Sequence, residues 1–311
     1  MFLRLENIRK EYDRKVAVDN LSLDVPKGSI FGVIGPNGAG KTTTIRMVMN
    51  ITAPDSGAVL VEGKPAGREF RNRVGYLPEE RGLYKKMTIE EVIIYMAELK
   101  GYPKTKVLPK IDPWLKRMDL LPYRLRKVEE LSKGMAQKLQ FITTIMHEPD
   151  LLILDELFSG LDPVNTELIK DIIMELRRSG VTILFSTHVM EQAEKLCDYL
   201  CMISKGKKVI DGQLGEVKAR FGTNSVQIEI DGDGSFVRDL PGVARITDYN
   251  RYKELRLNEG VDPDTILRSL VGKVKVRRFA VVEPSLYDIF IEMAKVDPSD
   301  VFAGGQGVAN A

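Results

Sequence analysis

The eight residues Gly35-Pro36-Asn37-Gly38-Ala39-Gly40-Lys41-Thr42 constrain this chain more than any other feature. They read G-x-x-x-x-G-K-[ST], directly after the apolar run Ser29 to Ile34 and before a helical pattern. Glycines in such a loop allow backbone conformations that side chains forbid, so successive N–H groups can curl round an anion. The following helix turns its positive end toward the same point, and Lys41 adds a mobile charge for the β and γ phosphates of a nucleotide. Thr42 is the expected magnesium ligand, with Thr43 beside it among the nucleotide-holding residues. A plain glycine-rich turn is the alternative, and the flanking strand and helix count against it.

A second signal is the run Leu151-Leu152-Ile153-Leu154-Asp155-Glu156, an apolar strand ending in two carboxylates. Neighbouring residues at a strand end point to opposite sides, so each acid can have its own task. Asp155 suits a magnesium contact, and Glu156 suits a general base that faces the γ-phosphate and polarises a water. Acid-ended strands also occur at ordinary sheet edges; the phosphate loop in the same chain is what favours the chemical reading.

At 311 residues, 43% hydrophobic and 29% charged, the chain has room for two globular domains, which excludes a disordered tail or a stapled miniprotein. No window approaches ~18 consecutive apolar residues and the N-terminus lacks a signal-peptide stretch, so the chain is expected neither to span nor to cross a membrane. Cys197 and Cys201 lie in an apolar stretch and read as buried small hydrophobes, compatible with a reducing cytoplasm. A net charge of only +2 argues against a broad nucleic-acid surface. The local basic run Lys273, Lys275 and Arg277 alternates with Val274 and Val276, the pattern of a strand with a solvated, charged outer face.

From Met1 to about Lys218, short apolar runs (Ser29 to Ile34, Leu151 to Leu154, Val181 to Phe185) alternate with longer helical patterns, predicting an α/β layer structure with a mainly parallel sheet. The segment 88–148 lacks a convincing strand and reads as an inserted helical subdomain. Thr88 and Glu91 give a capping-box start for a helix through Val92, Ile93, Tyr95, Met96 and Leu99. Beyond it, the pattern predicts strands at Ser225–Ile230, Val243–Thr247, Tyr252–Leu257 and Val274–Val282, with helices near Phe236 and at Pro263–Leu270 and Ser285–Ala294. The order βαββαβ plus a helix gives a small α+β, split βαβ-like domain over residues 219–296. Residues 297–311 read as a flexible tail.

Leu131-Ser132-Lys133-Gly134-Met135, Ser159-Gly160-Leu161-Asp162 and Ser186-Thr187-His188, together with the loop and the acidic strand, resemble the ATP-binding cassette (ABC) family of P-loop NTPases over Leu3 to about Lys218. The resemblance implies an ATPase core with Tyr12 stacked on adenine and with residues 35–43 (Gly35, Pro36, Asn37, Gly38, Ala39, Gly40, Lys41, Thr42 and Thr43) around the phosphates. It also implies Thr42, Glu79 and Asp155 at Mg2+, and Glu156, His188 and Lys41 as catalytic groups. Ser132, Lys133, Gly134, Met135 and Asp162 would act on a nucleotide held by the opposite subunit, so one chain lacks a complete site and a homodimer or heterodimer is expected.

Four positions depart from the family pattern. Glu79 stands where glutamine is usual, Lys133 and Met135 replace a glycine and a glutamine of the signature, and Leu157 replaces the proline that often follows the catalytic glutamate. His147 has no such context and reads as a helix-end residue. The C-terminal segment around Glu283-Pro284-Ser285-Leu286-Tyr287 resembles the accessory domain of prokaryotic drug- and sodium-exporter ATPases. The implied function is an ATP-hydrolysing subunit that drives a separate transmembrane permease docked near residues 80–86, placed on the inner face of the cell membrane and acting in export. An importer ATPase, or a soluble cassette acting on ribosomes or DNA, is the alternative.

Overall fold

A computed structural model describes residues 1–294 apart from 14, 81, 222–224, 233, 250 and 259. The chain divides into two units, Met1–Gly212 and a second that begins at Gln213. The boundary falls at the end of a strand and gives the helix at Leu214–Arg220 to the second unit, a few residues before the division at 218 read from the sequence. The tail beyond 296 lies outside the described residues.

The first unit contains two sheets. Strands β1 (Leu3–Tyr12), β2 (Lys15–Val25), β4 (Ser56–Val61) and β5 (Lys64–Pro65) form an antiparallel sheet in the order β2-β1-β4-β5. The sequence reading did not anticipate this sheet. Alternation along β1 is broken by register shifts after Leu5 and Ile8, which blurs the period-two signal. Its inward residues Leu3, Leu5, Ile8, Leu21 and Leu23 nonetheless share one core with Val33, Ile45, Met47 and Leu184. Each such side chain contributes about 1.5–3 kcal/mol on burial.

The second sheet is formed by β3 (Ile30–Ile34), β6 (Val74–Leu77), β7 (Leu151–Asp155), β8 (Thr182–Thr187), β9 (Tyr199–Ser204) and β10 (Lys207–Gln213), in the order β10-β9-β3-β8-β7-β6. The pairs β9·β3, β3·β8, β8·β7 and β7·β6 are parallel, as predicted. β3 and β7 are buried at every position, as strands covered on both faces must be. Register aligns Ile34 with Thr187 and Asp155 with Ser186, so the loops after β3, β8 and β7 leave from one edge side by side.

Helices α1 (Lys41–Val48), α5 (Pro163–Arg178) and α6 (Met190–Leu196) belong to this layer; α2 (Ile89–Leu99), α3 (Lys104–Arg117) and α4 (Lys133–Ile145) form the helical insert. α2 starts with the capping box read from the sequence. Glu91 N–H donates to Thr88 Oγ1 at 3.3 Å, and Thr88 N–H donates to Glu91 Oε2 at 2.8 Å. α3 holds two prolines, Pro109 and Pro113, yet buries Val107, Ile111 and Leu115 at a four-residue spacing.

In the second unit, α7 (Leu214–Arg220) precedes β11 (Ser225–Asp231), β12 (Val243–Asp248), β13 (Lys253–Leu257), α8 (Pro263–Leu270), β14 (Lys275–Val282) and α9 (Leu286–Ala294). The sheet is antiparallel in the order β12-β13-β11-β14, the split βαβ arrangement expected. Val226, Ile228, Leu255, Ile266 and Leu270 form its core. β14 is an edge strand whose Val274 and Val276 side pack inward while Lys275 and Arg277 are exposed, and Arg277 Nε meets Asp231 Oδ1 at 2.7 Å. The basic run is thus the solvated face of an edge.

Cys197 and Cys201 are buried free thiols, and burial pushes the Cys201 thiol up to about 12. Among the described residues no helix is long and apolar enough to cross a membrane.

Candidate nucleotide site

The loop after β3 is built on glycine for reasons that can be measured. A Cβ on Gly35 (φ +154°) would sit 2.1 Å from the Ile203 carbonyl oxygen, and one on Gly40 (φ +108°) would sit 2.5 Å from that of Ala17. Neither position can carry a side chain without moving backbone. Gly206 N–H donates to Ala39 O at 2.9 Å and Asp19 N–H to Gly206 O at 2.8 Å, so β2 and the β9–β10 turn clamp the loop. Asn37 and Gly38 are exposed at its tip, Pro36, Thr42 and Thr43 are half-buried, and α1 begins at Lys41.

Lys41 is only 6% exposed. Its Nζ donates to Gly35 O at 2.8 Å and to Pro36 O at 3.2 Å, and lies 3.6 Å from Glu156 Oε1. Burial draws its pKa down, against the pull of the Glu156 and Asp155 carboxylates. An ammonium that is buried and held by carbonyls gains when a polyanion replaces them.

Asp155, at the end of β7, is 1% exposed, and neither of its carboxylate oxygens has a hydrogen-bond partner; Ser186 Oγ beside it is likewise unpartnered. Burial, reinforced by repulsion from Glu156 and Glu79, raises its pKa, while the hydroxyls of Ser186 and Thr42 oppose the rise without completing a hydrogen bond to it. A buried carboxylate with empty lone pairs is a costly arrangement that a hard cation would relieve. No group of three or more His, Cys, Asp or Glu suited to holding a metal occurs among the described residues. A cation here would therefore draw on few protein oxygens, as magnesium bound together with phosphates does.

Glu156 turns the chain out of the strand in a left-handed conformation (φ 49°), with its N–H on Ser186 O at 3.0 Å. Such a φ on a non-glycine residue costs roughly 1 kcal/mol or more and is held by its surroundings. Oε1 lies 2.9 Å from His188 Nδ1, and Oε2 accepts from Thr187 Oγ1 at 3.3 Å. The two acids therefore have different partners: Asp155 sits among Thr42 and Ser186, and Glu156 sits among Lys41, Thr187 and His188.

A cleft of about 370 Å³ opens beside them, lined by Leu77, Pro78, Glu79, Glu80, Lys133, Gln137, Gln140, Asp155, Glu156, Leu157 and Ser159. Glu79 thus joins the two acids. Ser132 caps α4, accepting Met135 N–H at 3.3 Å; Gly134 has open space around it, and Met135 is half-buried. Asp162 caps α5, accepting Asn165 N–H at 3.0 Å, which with the Asn165 amide lowers its pKa. Tyr12 ends β1, 43% exposed as a residue, with the Lys10 ammonium 5.5 Å from its ring centroid. His147 is buried with Nε2 3.2 Å from Val74 O, and burial lowers its pKa to about 4. That is a structural position at the end of α4.

Sequence reading did not single out Gln137, whose Nε2 donates to Leu157 O at 2.7 Å and so ties α4 to the loop after β7. A lone glutamine inside a helix carries no pattern that would mark it. Thr187 was visible only as a neighbour of His188.

Residues 18–159 match the family described as ABC transporter, and residues 212–294 match the C-terminal domain of the ATP-binding protein DrrA1-3-like family. An uncharacterized ABC transporter ATP-binding protein of Bacillus subtilis, YhaQ, is 45% identical over 93% of this chain and 97% of its own length. The chain belongs to the ABC transporter ATP-binding proteins. The Nod factor export ATP-binding protein I of Cupriavidus metallidurans is 34% identical over 94% of this chain and 96% of its own. A solved structure described as an ATP binding subunit of an ABC transporter superposes with a TM-score of 0.67 at 30% identity, covering 71% of this chain and 94% of that one. The fold is thus the α/β core of an ABC ATPase with a further C-terminal domain, and membership implies an ATP-binding subunit whose family hydrolyses ATP.

Proposed function

We propose that this ABC ATP-binding subunit hydrolyses ATP between two copies, or between itself and a close relative, and drives a separate permease in export. The observation that carries the reading is the convergence of Lys41, Asp155, Glu156 and His188 at one sheet edge, with Asp155 buried and unpartnered.

Lys41 exchanges its loop carbonyls for the β and γ phosphates, which the N–H groups of residues 35–43 also hold. Thr42, Asp155 and Glu79 hold Mg2+, which when bound neutralises phosphate charge. Glu156, fixed by Thr187 and His188, orients a water and takes its proton, and His188 contacts the γ-phosphate. Tyr12 stacks on adenine. Ser132, Lys133, Gly134, Met135 and Asp162, on the starts of α4 and α5, act on the nucleotide of the opposing subunit in a two-fold, head-to-tail dimer. Loss of the shared γ-phosphate opens the pair, and the permease, docked near residues 80–86, receives that motion. Export is favoured by the relative whose name contains it and by the C-terminal match. The second unit regulates or strengthens dimerisation.

The test is the rate of ATP hydrolysis against chain concentration. A shared site gives activity rising with the square of concentration at high dilution; full specific activity in a dilute, monomeric sample overturns the shared site. Capture of the native protein from membranes then tests the partner. An integral membrane protein with about six apolar segments is expected, and recovery with ribosomal RNA or DNA and no such protein overturns the transport reading.

A further inference from the structure

The turn that carries Glu156 is shaped by bonds from two directions. On the sheet side, Glu156 N–H donates to Ser186 O at 3.0 Å, and Ser159 N–H closes the turn on Glu156 O at 3.1 Å. On the other side stands α4. The Gln137 Nε2 donates to Leu157 O at 2.7 Å and to Ser159 O at 3.4 Å, so one NH2 group spans two carbonyls of the turn. Glu156 holds its left-handed φ of 49° only because its surroundings impose it. Leu157 does not fix its own φ as a proline ring would, so the turn takes its shape from the bonds made to it.

Every residue of α4 from Gln137 to Ile145 is buried. Within that stretch the hydroxyls of Thr143 and Thr144 bond back to Gln140 O in their own helix, whereas Gln137 spends its donors on the segment after β7. A buried amide costs more than an apolar side chain of the same shape unless its donors are used. Gln137 also lines the cleft with Glu156 and Ser159, so the bonds it makes lie at the site itself.

We infer that Gln137 is a positioning residue for hydrolysis at its own chain's site: its amide holds the carbonyls of Leu157 and Ser159 and thereby aims the Glu156 carboxylate. α4 then serves both sites, its start acting on the opposing nucleotide and its second turn fixing the base of its own chain. This role rests on the proposed assignment of Glu156 and on the pairing of two chains.

The experiment sets ATP hydrolysis against equilibrium binding of a fluorescent ATP analogue in the full-length chain. Gln137→Met keeps an unbranched side chain and removes both donors. It is expected to lower kcat by about 10- to 100-fold, to leave KM and analogue affinity within about twofold of the parent, and to lower the melting temperature by a few degrees. A kcat within about twofold of the parent, in a chain that binds the analogue normally, overturns the inference. Gln137→His, whose Nε2 has a similar reach, should regain part of the loss; a His variant no better than the Met variant overturns the donor role. Mixed pairs locate the effect. With a Glu156→Gln chain in excess, each intact chain has one working site. Gln137→Met on the chain with intact Glu156 should give the full loss, and on the Glu156→Gln chain a loss of no more than about twofold. Equal losses, or the reverse order, overturn the action in cis. Glu156→Gln by itself separates the two levels. Turnover retained in that variant removes Glu156 as the base and with it the proposed chemistry, whereas turnover lost there beside an unaffected Gln137→Met sinks only the role of Gln137. If excess Glu156→Gln chain leaves activity unchanged, the shared site fails, and kcat of Gln137→Met by itself still decides whether Gln137 aims the base.

Discussion

β3 and β7 of the first unit are buried along their whole length, whereas β12 and β14 of the second leave many positions half-buried or exposed. In a parallel sheet covered on both faces, no polar group can sit mid-strand without a partner, so chemistry is displaced to the ends. Because the strands run the same way, those ends lie along one edge, and Gly35, Glu156 and His188 meet there. An antiparallel sheet sends successive strand ends to opposite edges. The second unit has a smaller core, and among its described residues the buried polar groups Ser225, Glu254 and Asp288 surround a space far smaller than the cleft at the acidic strand. The order of strands thus decides where chemistry can gather.

The largest effect expected from this contrast is at Glu156. Glu156→Gln should lower turnover by about 10²–10⁴-fold while ATP still binds and the melting temperature holds. Phosphate release within tenfold of the parent would break the link between the converging edge and the chemistry.

Leu255, fully buried in the second unit's core, sharpens the contrast from the other side. Leu255→Ala should cost that unit about 2–5 kcal/mol. In calorimetry of the full chain, one transition should fall while ATP binding at the first unit persists at low temperature. Equal loss of both transitions would show that the two units do not unfold separately.

His147 distinguishes the units by pH. Folded, it takes up a proton only near pH 4 because burial opposes the charge, whereas its ordinary value is 6.5. Between those values the unfolded chain binds more protons, so the first unit loses stability as pH falls from about 6.5 to about 4. The full loss is on the order of 3 kcal/mol. His147→Gln should flatten that acid slope in the first unit's transition and leave the second unit's unchanged. An identical slope in the variant would remove His147 as its source.

What could be read in advance follows the same division. The phosphate loop and acidic strand were legible because glycine spacing and paired carboxylates are local in sequence, and the second unit's strands were legible because period-two alternation survives along most of them. The antiparallel sheet at the N-terminus was not, since bulges near Leu5 and Ile8 break that period. Nor was α3, whose Pro109 and Pro113 are strong helix breakers tolerated here by the buried stripe Val107, Ile111 and Leu115. The tie from Gln137 to Leu157 depends on two segments twenty residues apart meeting, which no local pattern records.

The smallest effect compares one helix cap in each unit. Thr88 and Glu91 bond reciprocally at the start of α2, whereas at the start of α8 the Asp262 carboxylate accepts a single bond, from Asp264 N–H at 3.0 Å, ahead of Pro263. Thr88→Ala and Asp262→Ala should each cost about 1 kcal/mol, the first from the ATPase unit's unfolding and the second from the smaller unit's. Proline at the first helical position already fixes the entry into α8, so Asp262→Ala should be the milder of the two. Because 1 kcal/mol moves the midpoint of a short domain further than that of a long one, the shift in melting temperature should nevertheless be larger in the second unit. A larger midpoint shift from Thr88→Ala would mean that the helical insert unfolds as a small cooperative element of its own.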